Sequence, residues 1–252
     1  MATILALHAH PDDIEILMGG TLALLSKAGG HRIVAVTATA GEGGSAEFGT
    51  EETGRVRQAE ARRSAQVIGA EYRCLGFPDL GVFNDDPSRR KVTELLRDVR
   101  PDVVITASPA DYHPDHEAIS ILARDACFAA PVANYCTGEA AALDAIPALY
   151  FTDAIGGRDR NGVKIPRDFA VDVGAAFQFK QAMLAQHESQ AAWVARQHGI
   201  ADHLADMDAW TRRVGRDFGV ELAEGFRQYR HTPYPKAPVL QNLLGDAVLT
   251  AL

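Results

Sequence analysis

Short, unbroken apolar runs recur along this chain with helix-like segments between them, and that alternation limits the folds open to it more than any other feature. The runs are TILALHA at 3–9, HRIVAVTAT at 31–39 and DVVITAS at 102–108. Because successive residues are apolar, both faces of each strand must be covered, the mark of a parallel sheet. Between them, GGTLALLSKAGG (19–30), TEETGRVRQAEARRSAQVIGA (50–70), PSRRKVTELLRDVRP (87–101) and HPDHEAISILARDACFAA (113–130) carry helical spacing with Gly or Pro punctuation. EYRCLGF (71–77) reads as a third strand, and PALYFTDA and DFAVDV as two later ones. The residues at 175–197 and at 207–229 read as long helices, and the last twenty as a wrapping tail. The expectation is one α/β domain over residues 1–252, a Rossmann-like, doubly wound, mostly parallel sheet with helices on both faces and a helical C-terminal extension from about 175.

Charge narrows the partners. The formal net charge of −8 argues against nucleic acid or an anionic membrane surface, both of which need a basic face. No apolar stretch is long enough to span a bilayer, and the first residues lack an export pattern, so a cytoplasmic address is expected. Cys74, Cys127 and Cys136 are widely spaced with no C-x-x-C, and are read as reduced. The glycines at 19–20 and 41–44 fit no phosphate-loop spacing and are read as points of close backbone approach.

In such sheets ligands bind beyond the carboxyl ends of the strands. Two dense polar phrases lie there: HPDDIE after the first strand and DYHPDHE after the fourth. Each alone is a plausible helix cap, with Pro in the first turn. Together they bring His and Asp to two strand ends, and clustered ionisable groups need partners or a metal. Imidazole and carboxylate are the ligands of a catalytic divalent cation with one open position. His10 and Asp13 can point at one ion and His116 can supply a third ligand, which leaves Asp12 to take a proton from water. His113 and Asp115 remain for a supporting role, steadying an oxyanion or donating to a leaving amine. His8 reads as a polar residue packed in the sheet and Glu15 as a first-turn helix acid. His10-Pro11-Asp12 also mimics the H-x-D phrase of iron facial triads, but the strand–helix alternation speaks against the all-β fold expected there.

At these residues the chain resembles the PIG-L/LmbE-like family of zinc-dependent N-acetylglucosaminyl deacetylases. The likeness runs from AHPDDIEILMGGTLA through TATAGEGGS, RQAEARRSAQVIGA, LGFPD, HPDHEA and VDV to KQAMLAQHESQ, roughly residues 3–190. It implies Zn²⁺ on His10, Asp13 and His116, Asp12 as general base, and His113 polarised by Asp115; two imidazoles and a carboxylate also accept Fe²⁺ or Co²⁺. By the same resemblance Arg57 and Asp79 recognise the sugar, and Glu42 and His187 lie near it. The implied reaction removes the N-acetyl group from an N-acetylglucosamine-containing small molecule or glycoconjugate, releasing acetate and a free amine. An amidase acting on a glucosamine–thiol conjugate and a non-catalytic zinc- or sugar-binding module are the alternatives. A homo-oligomer, trimer or hexamer, is expected from the relatives. Residues 131–165 and the chain after 195 carry no matched motif.

Overall fold

The computed structural model describes residues 1–199 and 202–250. Five strands, β1 (Thr3–His8), β2 (Arg32–Thr39), β3 (Glu71–Phe77), β4 (Val103–Thr106) and β5 (Ala148–Thr152), pair in parallel. Three more, β6 (Phe169–Asp172), β7 (Ala223–Gln228) and β8 (Val248–Thr250), extend the sheet antiparallel, in the order β3-β2-β1-β4-β5-β7-β6-β8. The parallel half is the doubly wound arrangement expected from the sequence. Its order reverses between β1 and β4, which lie side by side in the register Leu7↔Thr106, and a crevice opens at such a reversal.

The strands are apolar throughout because each face meets its own core. Ile4 and Ala6 of β1 pack with Met18 and Leu22 of α1 (Asp13–Gly29), whereas Leu5 and Leu7 pack with Val92 and Leu96 of α3 (Asp86–Val99) and Ile119 and Leu122 of α4 (Pro114–Ala129). The two-residue period of a strand sends neighbours to opposite faces. The other helices are α2 (Thr50–Val67), α5 (Phe177–Leu184), α6 (Glu188–His198), α7 (His203–Phe218) and α8 (Val239–Leu244). No described helix is long and apolar enough to cross a membrane.

Four elements differ from the sequence reading. Helix α1 begins at Asp13 rather than near 19, so the HPDD phrase is itself the strand-to-helix turn. The helix expected at 175–197 breaks after Leu184 and restarts at Glu188, with His187 at the N-cap. The segment 207–229 is helical only to Phe218; Gly219, at φ 77° and ψ 19°, ends α7 in the left-handed conformation and β7 follows. The C-terminal extension is therefore not helical alone: β7 enters the sheet between β5 and β6, and the tail supplies α8 and the edge strand β8.

The polar residues of β7 disguised it. Glu224 is buried, and its carboxylate accepts from the amides of Gly20 and Thr21 within α1 at 2.9 and 2.8 Å. The fully buried ammonium of Lys180 on α5 donates to that carboxylate at 2.5 Å and to the carbonyl of Ile16 at 2.8 Å. A side chain at Gly20 would put its Cβ 2.7 Å from that of Val173, so only glycine lets α1 approach here. This polar seam fixes the helix that opens with the HPDD turn against α5 and β7.

Candidate metal centre

The turn after β1 sets the first half of the centre. Asp12 sits at φ 100° and ψ −29°, a left-handed conformation that a residue with a Cβ adopts at a cost of about 1–3 kcal/mol. The adjoining Asp13 starts α1, and its Oδ2 accepts from the backbone amide of His10 at 2.8 Å. The second half is the first turn of α4, where His113 is the N-cap: its Nδ1 accepts from the amide of Asp115 at 3.2 Å. His113 is thus a true side-chain cap, whereas Asp12 stands at the N-cap of α1 without a capping hydrogen bond.

Three donor atoms from these two turns face one point. His10 Nδ1 lies 3.2 Å from His116 Nε2, and each is 3.4 Å from Asp13 Oδ2. Zinc bonds to such donors are about 2.0–2.2 Å long, which places two ligands of one tetrahedral ion roughly 3.3–3.6 Å apart. Two edges of the triangle have that length and the third, at 3.2 Å, falls just short of it, and all three residues are buried. The donor set fits a divalent cation. His10, His113 and His116 form one group with ligand atoms close enough to share an ion, and His10, Asp79 and Asp115 another.

The carboxylates around the imidazoles set their protonation. Burial alone would lower His116, but the charge of Asp13 and the contact with Asp111, at 3.2 Å from Nδ1, lift it to about 9. Burial acts against His10 too, yet Asp115, Asp13 and Asp79 raise it well above the ordinary imidazole value. Asp13 is held well below the usual carboxylate range, because its imidazole partners outweigh burial. Asp12 moves the other way: burial pushes its carboxyl up to about 6, against the pull of Arg57. Two adjacent aspartates are thus split, one a fixed anion facing imidazoles and the other able to take a proton near neutral pH.

Residues 5–127 match the family described as PIG-L, GlcNAc-PI de-N-acetylase. That match takes in both HPD phrases and just under half of the chain. Among curated relatives, the diacetylchitobiose deacetylase of Thermococcus kodakarensis is 26% identical over 74% of this chain and 69% of its own. The 1D-myo-inositol 2-acetamido-2-deoxy-alpha-D-glucopyranoside deacetylase of Salinispora arenicola is 32% identical over 45% of this chain, and the match spans 46% of that enzyme. Among solved structures, the N,N'-diacetylchitobiose deacetylase of Pyrococcus horikoshii superposes with a TM-score of 0.77 at 22% identity, over 94% of this chain and 88% of its own. The 4-carboxy-2-hydroxymuconate hydratase of Pseudomonas putida KT2440 gives 0.75 at 21%, over 94% and 100%. At such identities the likeness is one of fold, and the fold carries more than one chemistry.

In this chain the remaining expected residues take positions the motifs did not specify. The carboxylate of Asp115, expected to polarise His113, instead lies 3.2 Å from His10 Nε2 and accepts from the amides of Leu80 and Val82 at 2.8 and 3.3 Å. Only the Asp115 amide reaches His113. Its bond to Nδ1 leaves the N–H of a neutral His113 on Nε2, and the ring stacks on His116 at 4.8 Å. Arg57, expected at the sugar rim, is 3% exposed; it donates to the carbonyls of Gly41 and Pro11 at 2.7 and 2.8 Å and lies 3.5 Å from Asp12. Gly41, at φ 65°, is needed there, since a Cβ would fall 2.1 Å from the Arg57 guanidinium. Asp79 is nearer the cluster: Oδ1 is 3.2 Å from His10 Nε2, Oδ2 accepts from Gly43, and its amide donates to Glu42. The other carboxylate oxygen of Glu42 is buried without a partner. His187 is fully buried, with Nε2 3.1 Å from Glu15, which also accepts from Ser64.

Two participants escaped the sequence reading. Asp111 orients His116, and its signal was its place in the same DYHPDHE phrase. Glu15 stands in the first turn of α1 as expected and is besides the buried anchor of His187, and nothing local in sequence marks that pairing across 172 positions.

Proposed function

We propose that this chain is a metal-dependent amide hydrolase that removes the acetyl group from an N-acetylglucosamine-containing small molecule or conjugate, giving acetate and a free amine. The observation that carries this is the triangle of His10, Asp13 and His116 donors at 3.2–3.4 Å with Asp12 next to it. The family and the relatives named as N-acetylglucosamine deacetylases supply the substrate class.

In this reading His10, Asp13 and His116 hold the cation, Zn²⁺ first and Fe²⁺ or Co²⁺ as alternatives that imidazole and carboxylate also accept. The cation, when bound, polarises a carbonyl oxygen and makes water more acidic. Asp12 takes the proton of the attacking water as the new C–O bond forms. The Arg57 guanidinium and the left-handed backbone hold its carboxylate in place. His113, with its N–H on Nε2, donates a hydrogen bond to the carbonyl oxygen as negative charge gathers there. When the C–N bond breaks, the proton on Asp12 passes to the departing nitrogen, so water and amide become acetate and amine. Asp79 and the unpartnered oxygen of Glu42 accept from sugar hydroxyls, and a cleft of about 600 Å³ between α2 and the loop after β3 opens beside Glu42. A cytoplasmic address fits the three unpaired cysteines, and a homo-oligomer belongs to the same reading.

The test is acetate release from a panel of N-acetylglucosamine conjugates, with Asp12→Asn as control. Turnover that Asp12→Asn abolishes while metal stays bound supports the deacetylase. Binding of sugar and metal with no turnover of any amide by the unaltered chain would make it a binding module, and cleavage only of larger amides would favour the conjugate amidase.

A further inference from the structure

Arg227 of β7 is a half-buried cation that the proposed hydrolysis does not use. Its Nε is enclosed without a hydrogen-bond partner, and among the described residues no carboxylate bonds to its guanidinium. Burial pulls its pKa down, and the charge of Asp153 opposes this only in part. A guanidinium drawn out of water with so little compensation costs stability, so its place in the sheet calls for a use.

The contacts of Arg227 lead to the metal centre. In the sheet it pairs with Phe151 of β5, and Phe151 pairs with Thr106, the last residue of β4, so the three share a face. The guanidinium lies over the Phe151 ring, 6.0 Å from its centre, and crosses β5 to donate to Ser108 Oγ at 2.7 Å. Ser108 is fully buried, two residues past β4. It donates its one hydroxyl proton to the carbonyl of Ala110 at 2.8 Å and accepts from the amide of Ala110 at 3.3 Å, which pinches the chain directly before Asp111. Asp111 is fully buried too, and its amide donates to Glu117 at 3.0 Å. Its Oδ1 accepts from the amide of His113 at 3.1 Å and faces His116 Nδ1 at 3.2 Å. A carboxylate behind a ligating imidazole fixes the direction of that ring, and it does so only while its own backbone is held.

Resting on the metal-centre and deacetylase reading, we infer that Arg227 is a positioning residue: through Ser108 it holds the turn at 108–111, and thereby aims Asp111 at His116 and sets His113. It bonds to none of the proposed ligands and acts through the turn alone. The antiparallel strand β7, from the part of the chain without a matched motif, thus reaches a centre built on β1 and β4.

A double-variant cycle on Arg227→Met and Ser108→Ala tests this. Zinc affinity is read by competition with a chromogenic chelator at fixed pH, and kcat and KM with N,N'-diacetylchitobiose as the probe. Each single variant should weaken zinc binding about three- to tenfold, less than the roughly 10–100-fold expected when a carboxylate touching the ligand itself is lost. The kcat should fall in step while KM stays within about twofold, and the double variant should be no worse than the weaker single by more than about twofold, because both cut one link. Where Arg227→Met does not fold, Arg227→Gln takes its place. A variant at Arg227 that melts at lower temperature yet keeps zinc affinity and kcat within about twofold gives the residue a packing role alone and overturns the inference. Losses that multiply in the double variant overturn it as well, since the two residues then act separately. Zinc affinity is read without turnover, so an unaltered chain that releases no acetate sinks the deacetylase reading while the zinc measurement still decides the role of Arg227.

Discussion

Asp12 concentrates the cost and the use of this site in one residue. Its backbone is left-handed at φ 100°, its side chain is 13% exposed, and it lies 3.5 Å from a guanidinium that is itself almost fully enclosed. Asparagine tolerates that backbone and keeps the shape but cannot take a proton. Asp12→Asn is therefore expected to fold at least as stably as the parent, bind metal equally, and lose about 10²–10⁴-fold in kcat. Metal analysis and steady-state kinetics check both halves, and lost metal would make Asp12 a ligand. The imidazoles give a second prediction. His116 is raised to about 9 without an ion, and a ligand must give up its proton before it coordinates. Cation affinity should thus be full above about pH 9 and weaken steadily as pH falls below it. Calorimetry in buffers of different ionisation heat should show proton release on binding at pH 7, and no release would mean that His116 is not displaced.

At the scale of elements, the seam between α1, α5 and β7 rests on a buried ion pair between Lys180 and Glu224. Breaking a buried ion pair from one side leaves the other charge stranded, at a cost of about 3–5 kcal/mol. Lys180→Met should lower stability by that order in a denaturant titration, and Lys180→Met/Glu224→Gln should recover part of it. An additive double variant would show that the two groups do not act together. The same seam explains where the sequence was legible. The parallel strands and α3 and α4 could be read because their burial is apolar and periodic, and the two HPD phrases because they stand at strand ends. Strand β7 could not, since AEGFRQ hides a buried carboxylate whose partners lie on α1 and α5, and the helix break at His187 depends on a glutamate far away in sequence. The contacts of Arg57 and Asp115 are not legible for the same reason: a motif names residues, whereas burial and partners decide which way each side chain turns.

Across the whole molecule, the centre joins the tips of β1 and β4 at the reversal of strand order, so a bound cation crosslinks two turns from distant parts of the chain. A ligand that binds only the folded state stabilises it by mass action, about 2.7 kcal/mol at one hundred times its dissociation constant. For a chain of this size zinc at that level should raise the melting temperature by roughly 5–10 °C, taking about 2–4 °C per kcal/mol. Chelation should reverse the gain, and His116→Ala should abolish it. The most direct measurement is a crystal structure of the zinc-loaded protein with anomalous data at the metal edge. One strong peak within about 2.0–2.2 Å of His10 Nδ1, Asp13 Oδ2 and His116 Nε2, with a coordination position open to solvent, is the predicted result. A peak held by His10, Asp79 and Asp115 instead, or none at full zinc loading, would contradict it.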